Sequence, residues 1–129
     1  MQDTRDILVM DGDVQIVSVI AEILREEGYR VRTASDSENG YAAILDHPPT
    51  LILLDVFMPG TTAPMLIEHL RRHDLSDVPV VLMSTDLREA EALLAQGVAD
   101  YLAKPFDIDE LLACVERYAS LWSSTIPRP

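Results

Sequence analysis

Short apolar runs alternate with amphipathic segments five times along the chain. Each run has four or five residues and is predicted to form a β-strand; the runs cover residues 6–10, 30–34, 51–55, 80–84 and 100–103. Three of them are almost wholly apolar, which is typical of strands buried on both faces of a parallel sheet. The alternation predicts five βα units in one doubly wound α/β domain.

The segments between the runs have features of helices. Apolar residues of segment 14–27 recur at helical spacing, and Gly28 follows it. The residues expected to share one face are Ile16, Val19, Ile20, Ile23 and Leu24.

Capping signals place the other helices. Ser35 with Glu38 predicts a capping box at the start of the second helix, which extends to about Asp46, and the third is expected over residues 63–72. Pairs of acidic residues suit the starts of the last two helices; they are Asp86 with Glu89 and Asp107 with Glu110.

Polar residues follow four of the predicted strands. Asp11 comes after the first strand, Lys104 follows the fifth, and Asp55 and Ser84 end the third and fourth. Because the carboxyl ends of parallel strands meet at one edge of the sheet, these side chains are expected to share a crevice, where such folds bind ligands. Singly, each has an ordinary explanation as a turn, cap or surface residue.

Composition narrows the classes of function. The formal net charge of -12 disfavours binding to nucleic acid or to anionic membranes. No apolar run approaches the ~18 residues that span a bilayer, and the first residues do not resemble a signal peptide. Cys114 is the single cysteine. A cytoplasmic location is therefore expected.

Four segments, ILVMDGD, LILLDVFMPG, VPVVLMS and DYLAKPF, occur in an order and spacing that resembles the receiver domain of two-component response regulators. The resemblance extends over about residues 6–120. It implies a flavodoxin-like sheet with strand order 2-1-3-4-5, and a phosphoryl group accepted from a histidine kinase or a histidine phosphotransfer protein. The domain would then be a signalling phosphoacceptor and not an enzyme with an external substrate.

The resemblance assigns roles to individual residues. It implies that Asp55 is the phosphoacceptor, that Lys104 pairs with Asp55 and a phosphoryl oxygen, and that Ser84 hydrogen-bonds the phosphoryl group. Tyr101 would be the aromatic residue of the switch, and the bond before Pro105 is usually cis. The output would be a surface of helix four, strand five and helix five that binds a downstream protein, from a monomer or a weak homodimer.

The first strand end departs from that pattern. The resemblance implies Mg²⁺ held by Asp11 and Asp55 together with a second acid directly after Asp11, but residue 12 is Gly. Asp13 is expected to cap the first helix, and reaches the metal only if the backbone bends at Gly12. One missing carboxylate is expected to weaken Mg²⁺ binding by about 1–3 kcal/mol, roughly tenfold to a hundredfold.

Two further departures concern the loops. The resemblance implies that the residues two after Asp55 and two after Ser84, here Phe57 and Asp86, influence attacking water. The bulky Phe57 then predicts a phosphoryl group that lasts minutes or longer, although Asp86 could orient water. The stretch GTTAP has Ala63 where the family commonly has Gly, which predicts an altered route into the third helix.

Two alternatives and the domain boundary stay open. A pseudo-receiver would bind proteins without phosphorylation, and a haloacid-dehalogenase-like phosphatase would use Asp11 as nucleophile and Asp13 as acid. The predicted domain covers residues 1–122, and residues 123–129 are expected to be a flexible tail or the start of a linker.

Overall fold

The computed structural model describes the backbone of residues 5–125 and the side chains of residues 5–119. Of the predicted tail, residues 123–125 continue the last helix. Residues 126–129 lie outside the described residues, as do residues 1–4.

All five predicted strands are present with the predicted bounds. They form one parallel sheet in the order β2-β1-β3-β4-β5, the order that the resemblance implies. The strands are β1 (Asp6–Met10), β2 (Arg30–Ala34), β3 (Leu51–Asp55), β4 (Val80–Ser84) and β5 (Asp100–Ala103). Every residue of β1, β3 and β4 is buried, because helices cover both faces of a parallel sheet.

Five helices form the two outer layers. They are α1 (Val14–Glu26), α2 (Ser37–Asp46), α3 (Ala63–Arg72), α4 (Leu87–Leu94) and α5 (Ile108–Thr125). Apolar residues of α1 and α5 pack in one cluster with one face of the sheet, and those of α2 and α3 pack in a second cluster with the other face. No helix in the described part of the chain is long and apolar enough to cross a membrane.

The helix starts follow the capping signals with one exception. Asp86 caps α4, and Asp107 and Glu110 form the predicted capping box of α5 by exchanging bonds of 2.8 and 3.1 Å. The prediction that Ser35 caps α2 is wrong. Asp36 is the cap, and its carboxylate accepts from the backbone N of Asn39.

The predicted apolar face of α1 is only partly buried. Ile20 and Leu24 lie in the core, but Ile16 and Val19 are 36% and 58% exposed. The buried face instead includes Val17 and Ala21, because the helix is rotated toward the sheet relative to the predicted stripe. The displaced residues line a groove beside the site described below.

Candidate functional site

The sheet register brings the predicted polar residues to one edge. Met10 of β1 pairs with Leu54 of β3, so Asp11 and Asp55 are neighbours beyond that pair. Ser84 ends β4 opposite Ala103 of β5, directly before Lys104. The co-location expected from parallel topology is therefore present.

Lys104 joins the two carboxylates at the centre of the site. Its Nζ lies 2.7 Å from Oδ1 of Asp55 and 3.2 Å from Oδ2 of Asp11. Asp11 is 2% exposed and Asp55 8%. Burial pushes the pKa of the Lys104 ammonium down, but hydrogen bonds to Asp55 and Asp11 outweigh it and raise that pKa overall. One cation thus stabilises two carboxylates in a nearly closed crevice.

Asp13 does not join this cluster. Its Oδ1 accepts from the backbone N of Gln15 and Ile16 at 3.0 and 3.3 Å, which caps α1 as predicted. Its own backbone N donates to Oδ1 of Asp11 at 2.9 Å. Asp13 therefore orients Asp11 through the backbone, while its carboxylate serves the helix.

Gly12 touches the loop that follows Asp55, a contact that the sequence did not reveal. A Cβ built on Gly12 would lie 2.8 Å from Cδ of Pro59. Ordinary contacts between carbon atoms are at about 3.5–4.0 Å, so a side chain at position 12 has no room unless one loop moves. The proline ring therefore borders the position where the resemblance implies a second acid.

Ser84 lies beside the cluster with its hydroxyl engaged elsewhere. It is fully buried, and its Oγ donates to the carbonyl of Asp86 at 3.1 Å and accepts from the backbone N of Asp86 at 2.9 Å. Oδ1 of Asp86 in turn caps α4 by accepting from the backbone N of Arg88 and Glu89. The hydroxyl is therefore coupled to the start of α4.

The remaining predicted residues lie on β5 and in the loops that follow β3 and β5. Tyr101 is half-buried on β5, and Phe57 is 71% exposed in the loop after Asp55. The Lys104–Pro105 peptide bond is cis, the isomer that the resemblance implies. Among the predicted site residues, the hydrogen bonds that join two side chains are those from Lys104 to Asp11 and to Asp55.

Comparison with known proteins decides the family. A sequence model of the response regulator receiver domain matches residues 7–116. This chain belongs to the response regulator receiver domains. Members of that family are signalling phosphoacceptors of two-component systems.

Individual relatives agree with this assignment. The nitrogen assimilation regulatory protein NtrX of Azorhizobium caulinodans is 35% identical over 115 residues, which are 87% of this chain and 25% of NtrX. The phosphate regulon transcriptional regulatory protein PhoB of Pseudomonas aeruginosa is 35% identical over 84% of this chain and 49% of PhoB. The chain thus spans a quarter to a half of these relatives.

A solved structure matches nearly the whole domain. The receiver domain of NtrX from Brucella abortus superposes with a TM-score of 0.81 at 34% identity. The match covers 89% of this chain and 98% of that one.

Receiver domains generally bind Mg²⁺ for phosphorylation, and the residues of this domain fit such an ion with few protein ligands. Asp11 and Asp55 both contact one ammonium nitrogen, so their carboxylates are close enough to reach one cation. Among the residues described, no group of three or more His, Cys, Asp or Glu could hold a metal. Mg²⁺ commonly takes one or two carboxylates and completes its octahedron with water and phosphate oxygens.

The receiver domain also has an apolar groove that sequence patterns alone did not reveal. It runs between α1 and the start of α5, and Lys104 lies at its border. Its exposed apolar residues include Ile16, Val19 and Ile108, the last 54% exposed. The sequence feature that could have indicated this groove is the apolar stripe predicted for α1, because Ile16 and Val19 of that stripe are exposed in the structure.

The phosphatase alternative has little support in this geometry. It requires Asp13 as a general acid, but the Asp13 carboxylate caps α1. It also requires a downstream acidic pair, and Asp107 caps α5 instead.

Proposed function

We propose that this receiver domain accepts a phosphoryl group on Asp55 from a histidine kinase or a histidine phosphotransfer protein. The observation that carries the proposal is the Lys104 ammonium held between Asp55 and Asp11. An oxygen of Asp55 would bond to phosphorus while the P–N bond of the donor breaks, and the electron pair goes to the imidazole nitrogen. The product is an acyl phosphate.

The residues of the site supply the main needs of this transfer. Phosphoryl transfer depends mostly on alignment and on neutralising the phosphoryl oxygens. Lys104 is held 2.7 Å from Asp55, whose side chain is largely buried, and a preorganised charge is most effective where solvent is excluded. Mg²⁺ bound by Asp11 and Asp55 supplies further positive charge, and we expect its affinity to be lowered by Gly12.

The first test is intact-protein mass spectrometry after incubation with acetyl phosphate, with and without Mg²⁺. We expect a gain of about 80 Da, one phosphoryl group of the kind that adds charge to a switch. The gain should depend on Mg²⁺ and vanish in Asp55→Asn. No gain at high Mg²⁺ and none with a cognate histidine kinase would reject the proposal.

Phosphorylation of Asp55 would change the conformation of the domain through the Ser84 hydroxyl. A phosphoryl oxygen on Asp55 competes with the backbone of Asp86 for the Ser84 hydroxyl. Since Asp86 caps α4, releasing that bond changes the start of α4, and Tyr101 repacks beside it. We infer that the face of α4, β5 and α5 then binds a downstream protein, with exposed Leu87 and Leu94 as apolar contacts.

The groove between α1 and α5 is the surface we assign to the protein donor. It is apolar, it is continuous with the acceptor crevice through Lys104, and it suits a helix that carries the phosphohistidine. Val19→Asp should slow transfer from a protein donor more than about tenfold, because it places a charge where the bound donor would bury an apolar side chain. Transfer from acetyl phosphate should be unchanged.

Leu45→Asp is the matched control for that experiment. Leu45 is 49% exposed on α2, a helix on the opposite face of the sheet. It should alter transfer from neither donor. Equal slowing by both variants would reject the assignment of the groove.

We also propose a long-lived phosphoryl group. Phe57 has no group that can orient water, and one carboxylate oxygen of Asp86 is occupied by two backbone N–H groups of α4. The lifetime is measured as the decay of the phosphorylated mass after the donor is removed. Complete hydrolysis within seconds would contradict this proposal.

A second candidate is a pseudo-receiver that binds its partner unmodified. Gly12 with Pro59 against it favours this function, because the usual second acid is replaced by a proline contact. Partner binding that is equal for the wild type and Asp55→Asn would support it.

The cytoplasmic location and the oligomeric state stay predictions.

A further inference from the structure

The loop between Asp55 and α3 is held to α2 by a hydrogen bond between two hydroxyl groups. This acceptor loop comprises residues 56–62, and Thr61 within it is 6% exposed. The hydroxyl of Tyr41 on α2 hydrogen-bonds Oγ1 of Thr61. Thr61 Oγ1 donates its own proton to the carbonyl of Thr62 at 3.3 Å, so Tyr41 is the donor in the pair.

Two backbone turns connect Thr61 to the proposed phosphoacceptor, Asp55. The backbone N of Met58 donates to the carbonyl of Asp55 at 3.1 Å, and the backbone N of Thr61 donates to the carbonyl of Met58 at 3.4 Å. Consecutive turns of this kind leave few free torsions between Asp55 and Thr61. A shift of Thr61 is therefore expected to reach the peptide that carries the Asp55 side chain.

The ring of Tyr41 packs at a tilt against His69 of α3, which in turn packs at a tilt against His73 at the C-cap of that helix. The ring centroid of Tyr41 lies 4.3 Å from that of His69, which lies 4.5 Å from that of His73. Nε2 of His69 is buried and has no hydrogen-bond partner among the described residues. Burial, with the neighbouring His73 and Arg72, lowers the pKa of His69, so a neutral ring packs against Tyr41.

We propose that Tyr41 is a positioning residue for phosphoryl transfer: its hydroxyl fixes Thr61, and Thr61 fixes the turns that orient Asp55. The proposal rests on the proposed function of Asp55. It also explains the stretch GTTAP, because the first Thr of that stretch, Thr61, supplies the hydroxyl that hydrogen-bonds Tyr41 of α2.

The test uses the full chain and two pairs of variants. Tyr41→Phe removes the hydroxyl and keeps the ring on His69, while Thr61→Val removes the acceptor. Tyr118→Phe is the control, because it removes another phenol hydroxyl that bonds a side chain, Asp100, at 2.8 Å. Thr61→Ser retains a hydroxyl and should rescue the loss seen in Thr61→Val.

Two readouts are measured for each variant. Amide hydrogen exchange of Met58 and Thr61 is followed in the unmodified protein, and the phosphorylation rate of Asp55 is followed with acetyl phosphate. Tyr41→Phe and Thr61→Val should speed exchange in the loop and slow phosphorylation, each about fivefold, as expected for the loss of one hydrogen bond. Tyr118→Phe and Thr61→Ser should stay within twofold of the wild type.

The two readouts separate this proposal from the proposed function. Wild-type loop exchange and phosphorylation rates in both Tyr41→Phe and Thr61→Val would overturn the positioning role. Faster loop exchange with an unchanged rate would also overturn it, since the loop would be fastened without effect on Asp55. A wild type that no donor phosphorylates rejects the role of Asp55, while loop exchange still decides whether Tyr41 holds the loop.

Discussion

The contact between Gly12 and Pro59 allows the effects of charge and of crowding at the proposed Mg²⁺ site to be separated. Replacing Gly12 by Asp introduces a carboxylate beside Asp11, and replacing it by Asn introduces the same shape without the charge. Gly12 has no positive φ, so neither substitution strains the backbone. Any common effect of the two variants therefore comes from the side chain pressing on Pro59.

The magnitudes follow from Coulomb's law at a separation of about 4 Å. At an effective dielectric near 20, a unit charge 4 Å from a dication gains roughly 8 kcal/mol before offsets. Loss of bound water and repulsion from Asp11 and Asp55 cancel much of this, which leaves about 1–3 kcal/mol. Gly12→Asp should therefore bind Mg²⁺ about tenfold to a hundredfold more tightly than Gly12→Asn.

The crowding should lower the free energy of unfolding of both variants and leave the ratio of their Mg²⁺ affinities unchanged. A Cβ 2.8 Å from Cδ of Pro59 forces the two loops apart, which costs about 1–3 kcal/mol in both variants. Calorimetric titration with MgCl₂ measures the affinities, and urea unfolding without metal measures the stabilities. Affinities of the Asp and Asn variants within threefold of each other would refute the electrostatic argument. An Asn variant as stable as the wild type would refute the crowding argument.

Three other predictions concern single groups. Asp13→Ala should lower the free energy of unfolding by about 1 kcal/mol through loss of the α1 cap, whereas Asp13→Asn should keep the cap; a tenfold loss of Mg²⁺ affinity in the Asn variant would make Asp13 a metal ligand. Lys104→Met should slow phosphorylation by acetyl phosphate about a hundredfold, measured by mass spectrometry, and wild-type rates would exclude Lys104 from the chemistry. The lowered pKa of His69 means that the unfolded chain binds its proton first, so stability should fall as the pH drops below 6.5 toward the folded pKa. NMR titration should show that pKa rising in His73→Gln, and a His69 that titrates at or above 6.5 would contradict the burial argument.

Much of the fold was predictable because it depends on local patterns. The strands of this sheet are short and apolar, and helices with capping residues separate them, so their bounds could be read from residue spacing. The cap at Asp36 was missed because Ser35 and Asp36 are both residue types that cap helices well, and the structure begins α2 at Ser37, directly after Asp36. The exposure of Ile16 and Val19 was missed since helical spacing defines a face but not the direction in which it points.

The sequence by itself determined which chemical groups this receiver domain has at the carboxyl edge of its sheet. Parallel topology requires the residues after each strand to meet, so Asp11, Asp55, Ser84 and Lys104 could be grouped without coordinates. Tertiary structure alone decided which of them touch, with Lys104 between the two carboxylates and the Ser84 hydroxyl directed to the backbone after it.

The contacts between loops belong to tertiary structure for the same reason. The approach of Pro59 to Gly12 and the bond between Tyr41 and Thr61 join residues 47 and 20 positions apart. Such contacts depend on the distances between neighbouring layers and strands, which no local pattern encodes. The sequence therefore determined the groups that carry the chemistry, and packing between distant loops decided how firmly those groups are held.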